Sequence, residues 1–146
     1  YSKFLYGFRP GKGLLWSSQM APGNENALKV RMYGTKGGIE FAQENPNQLW
    51  YTPFGEPKRL ITRGGHGSNA AAGRMTRIPP GHPEGYLEGF GNIYNEAAAA
   101  IKARRDGGPV PANVLFPTVH NGLDGVAFID ACLRSSKRNA AWVKPA

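Results

Sequence analysis

The sequence predicts an α+β domain, and three observations carry that prediction. The first 63 residues alternate apolar and polar side chains in short runs, each closed by glycine, proline or asparagine. From residue 82 onward the apolar residues recur instead at three- and four-residue spacing, over two long stretches. The turns between the early runs are short, so neighbouring strands pair antiparallel; parallel neighbours need a crossover of about a dozen residues or more. A strand block followed by a helix block points to an open-faced, mainly antiparallel β-sheet of about six strands with helices packed on one face. The whole of 1–146 is expected as one domain: a strand meander over 1–63, a loop over 64–81, then helices and a tail over 82–146.

Taken in order, Phe4, Tyr6 and Phe8 share one face of a first strand, Pro10-Gly-Lys-Gly13 signals a turn, and 14–20 continue as a second strand. A polar loop over 21–26 follows. Leu28, Val30 and Met32 then face one way and Lys29 and Arg31 the other, the pattern of a half-buried strand. Gly34-Thr-Lys-Gly37 supplies a tight connection into a strand with Ile39 and Phe41 inward. Residues 48–52 and 58–62 complete the meander. The glycine-rich stretch 64–77 has no periodicity, and a loop of that length is often functional; Arg74 and Arg77 within it are candidates for meeting an anion. Pro83 suits the first position of a helix, with His82 as its cap and Glu84 in its first turn, where the helix dipole favours a carboxylate. Tyr86, Phe90, Ile93, Tyr94, Ala97 and Ile101 form its apolar face. Gly89 and Gly91 weaken that helix, so close packing is expected against them. Gly107-Gly108 ends it, Thr118 caps a second helix running to about Arg138, and Trp142-Val143 is expected to return to the sheet edge.

Composition bounds the function. A chain of 146 residues with 40% hydrophobic residues has material for a core. No apolar run approaches the roughly 18 residues of a spanning helix. The single cysteine, Cys132, excludes an intramolecular disulfide and fits a reducing, cytoplasmic compartment. Eighteen Lys and Arg against ten Asp and Glu give a net charge of +8, which opens the alternative of a nucleic-acid partner. The basic residues are scattered, however, and the clusters at 102–105 and 134–138 fall near helix C-termini, where cations need no ligand.

The chemistry in the chain is sparse. His66, His82 and His120 are far apart, with no cysteine or histidine at zinc spacing, so no metal is expected. There is no Gly-x-Ser-x-Gly elbow and no phosphate loop. The glycines at 85–91 follow a Pro-Pro turn rather than a strand, so no cofactor-binding residue is assigned. Cys132 reads as a core thiol. His82 beside Glu84 is the one pair placed for proton or hydroxyl contacts. No catalytic residue is assigned, and the residues alone describe a binding or assembly domain. Tyr6, Phe8, Trp16, Trp50 and Tyr51 are more aromatic residues than one sheet–helix core comfortably absorbs; either some of them fill the helix-facing core, or Tyr6, Phe8 and Trp16 belong to a self-association face.

Four strings, in order, resemble one family. They are Tyr33-Gly-Thr-Lys-Gly-Gly-Ile-Glu-Phe41, Gln43-Glu-Asn-Pro-Asn-Gln-Leu-Trp50, Gly81-His-Pro-Glu-Gly-Tyr-Leu-Glu-Gly-Phe-Gly-Asn-Ile-Tyr94 and Phe116-Pro-Thr-Val-His-Asn-Gly-Leu-Asp-Gly125. Together they are similar to the C-terminal domain of the glucose–fructose oxidoreductase, inositol dehydrogenase and rhizopine-catabolism (Gfo/Idh/MocA) group of NAD(P)-dependent oxidoreductases.

The resemblance implies the substrate-binding and oligomerisation domain of an enzyme acting on a sugar, polyol or related hydroxy compound. It implies a sheet face that forms a homo-oligomer. It also implies NAD or NADP bound by an N-terminal Rossmann domain that supplies the catalytic lysine. Neither the nucleotide fingerprint nor the Glu-Lys-Pro string of that domain occurs here, so the chain is expected to be a truncated piece, inactive alone. By the same resemblance the Gly81–Gly85 turn lies at the inter-domain cleft. His82 and Glu84 are then substrate-binding candidates, and Gln19 and Asn26 belong to the other wall. A single-stranded nucleic-acid binder or a stand-alone carbohydrate-binding module is the alternative.

Overall fold

The computed structural model describes residues 2–8 and 11–145, with side chains from residue 11 onward. Nine elements follow one another: β1 (Ser2–Phe8), β2 (Gly11–Ser17), β3 (Lys29–Gly34), β4 (Gly37–Ala42), β5 (Gln48–Pro53), β6 (Arg59–Thr62), α1 (Ala70–Met75), α2 (Tyr86–Arg105) and α3 (Val119–Lys137). They fall into two compact units. Residues up to Gly23 and from Leu115 make one, and Asn24–Val114 make the other.

The α+β class stands, but the sheet is narrower than expected. It has four strands, in the order β3-β4-β5-β6, while β1 and β2 form a separate antiparallel hairpin. Alternation fixes which residues share a face; it does not say which hairpins share a sheet. Within the four-stranded sheet every neighbour is antiparallel. The pairs Val30↔Phe41, Phe41↔Leu49 and Leu49↔Ile61 line one face beside Met32↔Ile39 and Ile39↔Tyr51. The opposite face is mixed: Lys58 pairs with Glu40 at 3.0 Å and lies 5.0 Å over the Trp50 ring. The β3–β4 connection requires glycine at Gly37, which has a φ of 149° and whose Cβ would collide with the Thr52 carbonyl.

Three local expectations are corrected. The predicted loop contains α1, whose N-terminus is capped by Asn69 Oδ1 accepting from Ala72 N–H at 2.9 Å. A helix of six residues is too short to show a period. The second helix begins at Tyr86, three residues beyond Pro83, and its cap is Gly85 rather than His82. Residues 77–84 are tied instead into a turn that takes up the Glu84 carboxylate. Gly89 faces open space, while Gly91 has only ordinary contact with the Arg77 guanidinium.

In the other unit Thr118 N–H and Oγ1 both bond Asn121 Oδ1, at 2.9 and 3.0 Å, at the start of α3. The tail after α3 forms no strand. Ser135 Oγ bonds the Ala141 carbonyl and Arg134 bonds that of Lys144, so Trp142-Val143 is held beside the last turn of α3. The strand predicted at 14–20 is in fact Gly11–Ser17, so residues 11–13, expected as turn, are strand; Arg9 and Pro10, expected to end the first strand and to begin the turn, lie outside the described residues.

Burial is the larger surprise. Among the described residues, only Ala100 and Ala131 are buried apolar side chains, and neither is completely enclosed. The apolar stripe of α2 stays open, with Tyr86 74% and Ile101 68% exposed, as does that of α3, with Val119 81% exposed. Among the described residues the buried polar ones are Glu84, in the turn before α2, and Glu96, midway along it, and each faces an arginine.

Candidate functional site

The turn 79–85 is built by a carboxylate pulled inward. Glu84 is 7% exposed. Its Oε1 accepts from Arg77 N–H at 3.0 Å and its Oε2 from Ile78 N–H at 3.1 Å, and Arg63 Nη1 stands 2.6 Å from Oε2. A buried carboxylate is tolerable only with such a full set of donors. Two backbone amides and a guanidinium supply it, and the chain before the turn is drawn back onto the chain after it.

Arg63 is the other half of this arrangement. It follows β6 directly, and its backbone N–H donates to the Asn47 carbonyl at 2.9 Å. Its Nε donates to Asn47 Oδ1 at 2.7 Å, and Nη1 and Nη2 reach the carbonyls of Ile78 and His82, both at 2.6 Å. Asn47 Oδ1 also accepts from Glu84 N–H at 3.3 Å. Gly85 lies beside Pro46, where even an added Cβ would make only ordinary contact at 3.5 Å.

The same turn, Glu44-Asn-Pro-Asn47, holds a second loop. Glu44 Oε1 accepts from Ala27 N–H at 2.8 Å, and Asn26 Nδ2 donates to Gln43 Oε1 at 2.7 Å. Ala27 has a φ of 50°, a conformation that L side chains rarely adopt, and the Glu44 bond helps to hold it there. One short turn therefore fixes both the His82 turn and the Asn26 loop.

Behind these the loop is pinned to α2. Arg77 Nε donates to Asn92 Oδ1 at 2.7 Å, and Asn92 Nδ2 donates to the Met75 carbonyl at 2.9 Å. Arg74 takes Glu96 and the Asn113 carbonyl. Both arginines marked by the sequence as anion candidates are thus spent on internal bonds. At the mouth of α2, Gly85 N–H donates to Glu88 Oε2 at 2.9 Å, and backbone bonds of this kind hold the Glu88 carboxyl below its ordinary range.

The predicted site residues separate into two kinds. His82 is exposed; its backbone is held at both ends, and within the described residues nothing bonds its imidazole, which is free to donate to or accept from a hydroxyl. Glu84 faces the protein and holds the turn. Asn26 is exposed, with its amide nitrogen turned to Gln43. Gln19 is exposed and belongs to the other unit. Trp16 on β2 is 54% exposed; Tyr6 and Phe8 lie on β1, and their side chains are outside the described residues.

The residues that do most of the building, Arg63 and Asn47, carry no periodic or motif signal beyond the Glu-Asn-Pro-Asn string. Burial raises the Cys132 thiol above its usual range on α3. No group of three His, Cys, Asp or Glu among the described residues could hold a metal ion. Nor do the residues present fit a dinucleotide. The glycines at 85–91 lie in and before α2 after a turn, and the amide of Gly85 is already taken by Glu88. No helix is long and apolar enough to cross a membrane.

The chain is similar to proteins described as oxidoreductases. The chain is 31% identical over 133 residues to the uncharacterized oxidoreductase YfiI of Bacillus subtilis (strain 168), a match covering 90% of the chain and 34% of that protein. An oxidoreductase structure from Sinorhizobium meliloti matches with a TM-score of 0.86 and 62% identity, over 91% of the chain and 36% of its own length. The structure of an inositol dehydrogenase homolog from Azotobacter vinelandii, complexed with NADH and myo-inositol, matches with a TM-score of 0.85 and 34% identity. That match covers 91% of the chain and 35% of the homolog. No protein-family model matches the chain.

The fold is thus that of one domain of an oxidoreductase, and the chain spans about a third of the length of the relatives it matches. These matches are consistent with the resemblance of the four sequence strings to the C-terminal domain of the Gfo/Idh/MocA oxidoreductases.

Proposed function

We propose that this chain is the substrate-binding and oligomerisation domain of an NAD(P)-dependent oxidoreductase acting on a sugar, polyol or related hydroxy compound. The observation that carries the reading is the Gly81–Gly85 turn. It is locked from within by the Glu84–Arg63 pair while it presents the His82 imidazole outward. A rigid turn with one exposed hydrogen-bonding ring is suited to reading a hydroxyl, because little ordering remains to be done when the ligand arrives. The likeness to a homolog that binds NADH and myo-inositol supports a polyol as ligand and a nicotinamide as hydride carrier.

In this reading the Asn26 loop, which shares its anchoring turn with His82, contributes to the same ligand. A nucleotide-binding domain elsewhere in the protein would hold the nicotinamide cofactor, which would supply the hydride chemistry, and would also supply the catalytic acid–base group. This chain binds and orients; it performs no proton transfer of its own. The exposed apolar faces, including Trp16 and the stripes of α2 and α3, are the surfaces such a domain buries against a nucleotide-binding domain and a second copy of the protein.

The test is isothermal titration of the intact protein with NAD+ and myo-inositol, alongside a His82→Asn variant. Polyol binding that weakens in the variant with unchanged NAD+ affinity supports the reading. Unchanged polyol binding in the variant rejects His82 as a contact.

A further inference from the structure

We propose that Arg63 is the positioning residue of this site, fixing the direction in which His82 leaves the backbone. The proposal rests on the reading of His82 as a substrate contact and adds the residue that aims it. A guanidinium has five N–H donors in a rigid fork, and all of them are engaged here. Nε meets Asn47 Oδ1 at 2.7 Å. Nη1 meets the Ile78 carbonyl and Glu84 Oε2, both at 2.6 Å. Nη2 meets the His82 carbonyl at 2.6 Å and that of Pro79 at 3.4 Å.

With its donors filled and its side chain 15% exposed, Arg63 offers a ligand nothing directly. What it controls is the turn. The Arg63 bond pins the carbonyl of His82, and the amide of His82 donates to Pro79 at 3.3 Å. Pro83 then confines His82 to extended backbone, because proline Cδ clashes with a helical residue before it. The backbone of His82 is thereby set, and only the two side-chain torsions of the imidazole remain free. Lysine cannot take this role: its three donors radiate from one nitrogen and cannot span acceptors drawn from three segments of the chain.

The experiment uses the intact protein with histidine labelled at 13Cε1, the His82 signal being assigned from the His82→Asn spectrum. In Arg63→Lys, the His82 signal is expected to move and to narrow as the ring gains freedom, while the signals of His66 and His120 stay in place. The KM for myo-inositol, taken as the probe polyol, is expected to rise by about 10- to 100-fold, the scale of a misplaced contact. NAD+ affinity should be unchanged.

A purely structural role predicts a lower melting temperature and a smaller active fraction with the wild-type KM and the wild-type His82 signal, and that result overturns the proposal. If Arg63→Lys does not fold, Asn47→Ala removes one of the five acceptors of Arg63, that of Nε, together with the longer bond from Glu84 N–H; a smaller shift of His82 in the same direction supports the proposal, and an unmoved signal overturns it. Failure of the underlying site reading shows separately, as a wild-type His82 signal that saturating myo-inositol does not shift.

Discussion

Arg74 holds Glu96 with both arms of its guanidinium, Nη1 2.5 Å from Oε1 and Nη2 2.6 Å from Oε2. The same Nη2 also meets the Asn113 carbonyl, so one side chain joins α1, α2 and the segment after α2. This fork-to-fork pairing, on a buried glutamate, is the strongest geometry an ion pair adopts on a protein. It does for this unit part of what an apolar core does elsewhere, since α1 buries no residue at all.

Arg74→Lys is therefore expected to destabilise the protein by about 2 kcal/mol, the scale of lost hydrogen bonds to a charged group. Thermal unfolding of the variant beside wild type checks it. Arg74→Met, which leaves Glu96 without its partner arginine, should cost more than the lysine change. The opposite order would show that the second arm of the pair contributes nothing.

Glu84→Ala should be the most damaging single change in the loop. It frees the amides of Arg77 and Ile78 and leaves the half-buried Arg63 without its anion; breaking a buried pair in this way costs about 3–5 kcal/mol. Limited proteolysis should show new cleavage between residues 76 and 83 before any cleavage in the sheet. A variant as resistant as wild type would mean that the carboxylate is not what holds the turn.

These two carboxylates mark the limit of what the sequence makes legible. Val30, Met32, Ile39 and Phe41 reveal their strands because a period of two is written in the side chains. The spans of α2 and α3 are visible in their three- and four-residue spacing for the same reason. The Asn69 cap of α1 and the start of α2 at Tyr86 were hidden, because a helix boundary depends on which amides are already satisfied. Glu84 looked like a first-turn helix acid, yet the amides it serves lie before the turn, at 77 and 78. The His82 turn was visible as a string, while Arg63, which braces it from across the sheet edge, has no local signature. Long-range polar pairs leave no period behind. The width of the sheet was illegible for a related reason: β1–β2 alternate as well as β3–β6 do, and only three-dimensional pairing separates them.

His82→Asn is expected to leave stability unchanged, within about 0.5 kcal/mol, because the ring is exposed and nothing within the described residues bonds it. The effect should fall instead on polyol affinity, with a rise of about tenfold in KM, near the value of one hydrogen bond. Steady-state kinetics of the intact protein together with a melting curve separate the two. A variant that loses several degrees of melting temperature at wild-type KM would place His82 among the structural residues, with Glu84.

The last expectation concerns acid. Glu88 has its carboxyl pulled below its ordinary value of 4.5, first by the backbone bond from Gly85 and then by its own backbone amide. A carboxyl whose folded value is depressed adds stability that is complete above its unfolded value and is lost as the pH falls through the folded one. The contribution of Glu88 is thus intact at neutral pH and disappears only below the ordinary carboxylate range. Because the bond closes the first turn of α2, its loss should appear as fraying of that end: amide exchange at residues 85–89 should quicken on acidification below about pH 4.5. Glu88→Gln keeps an acceptor for the Gly85 amide and has no proton to gain. In that variant exchange at 85–89 should show no acid step beyond the one common to the rest of α2. An undiminished step would assign the acid sensitivity to a group other than Glu88.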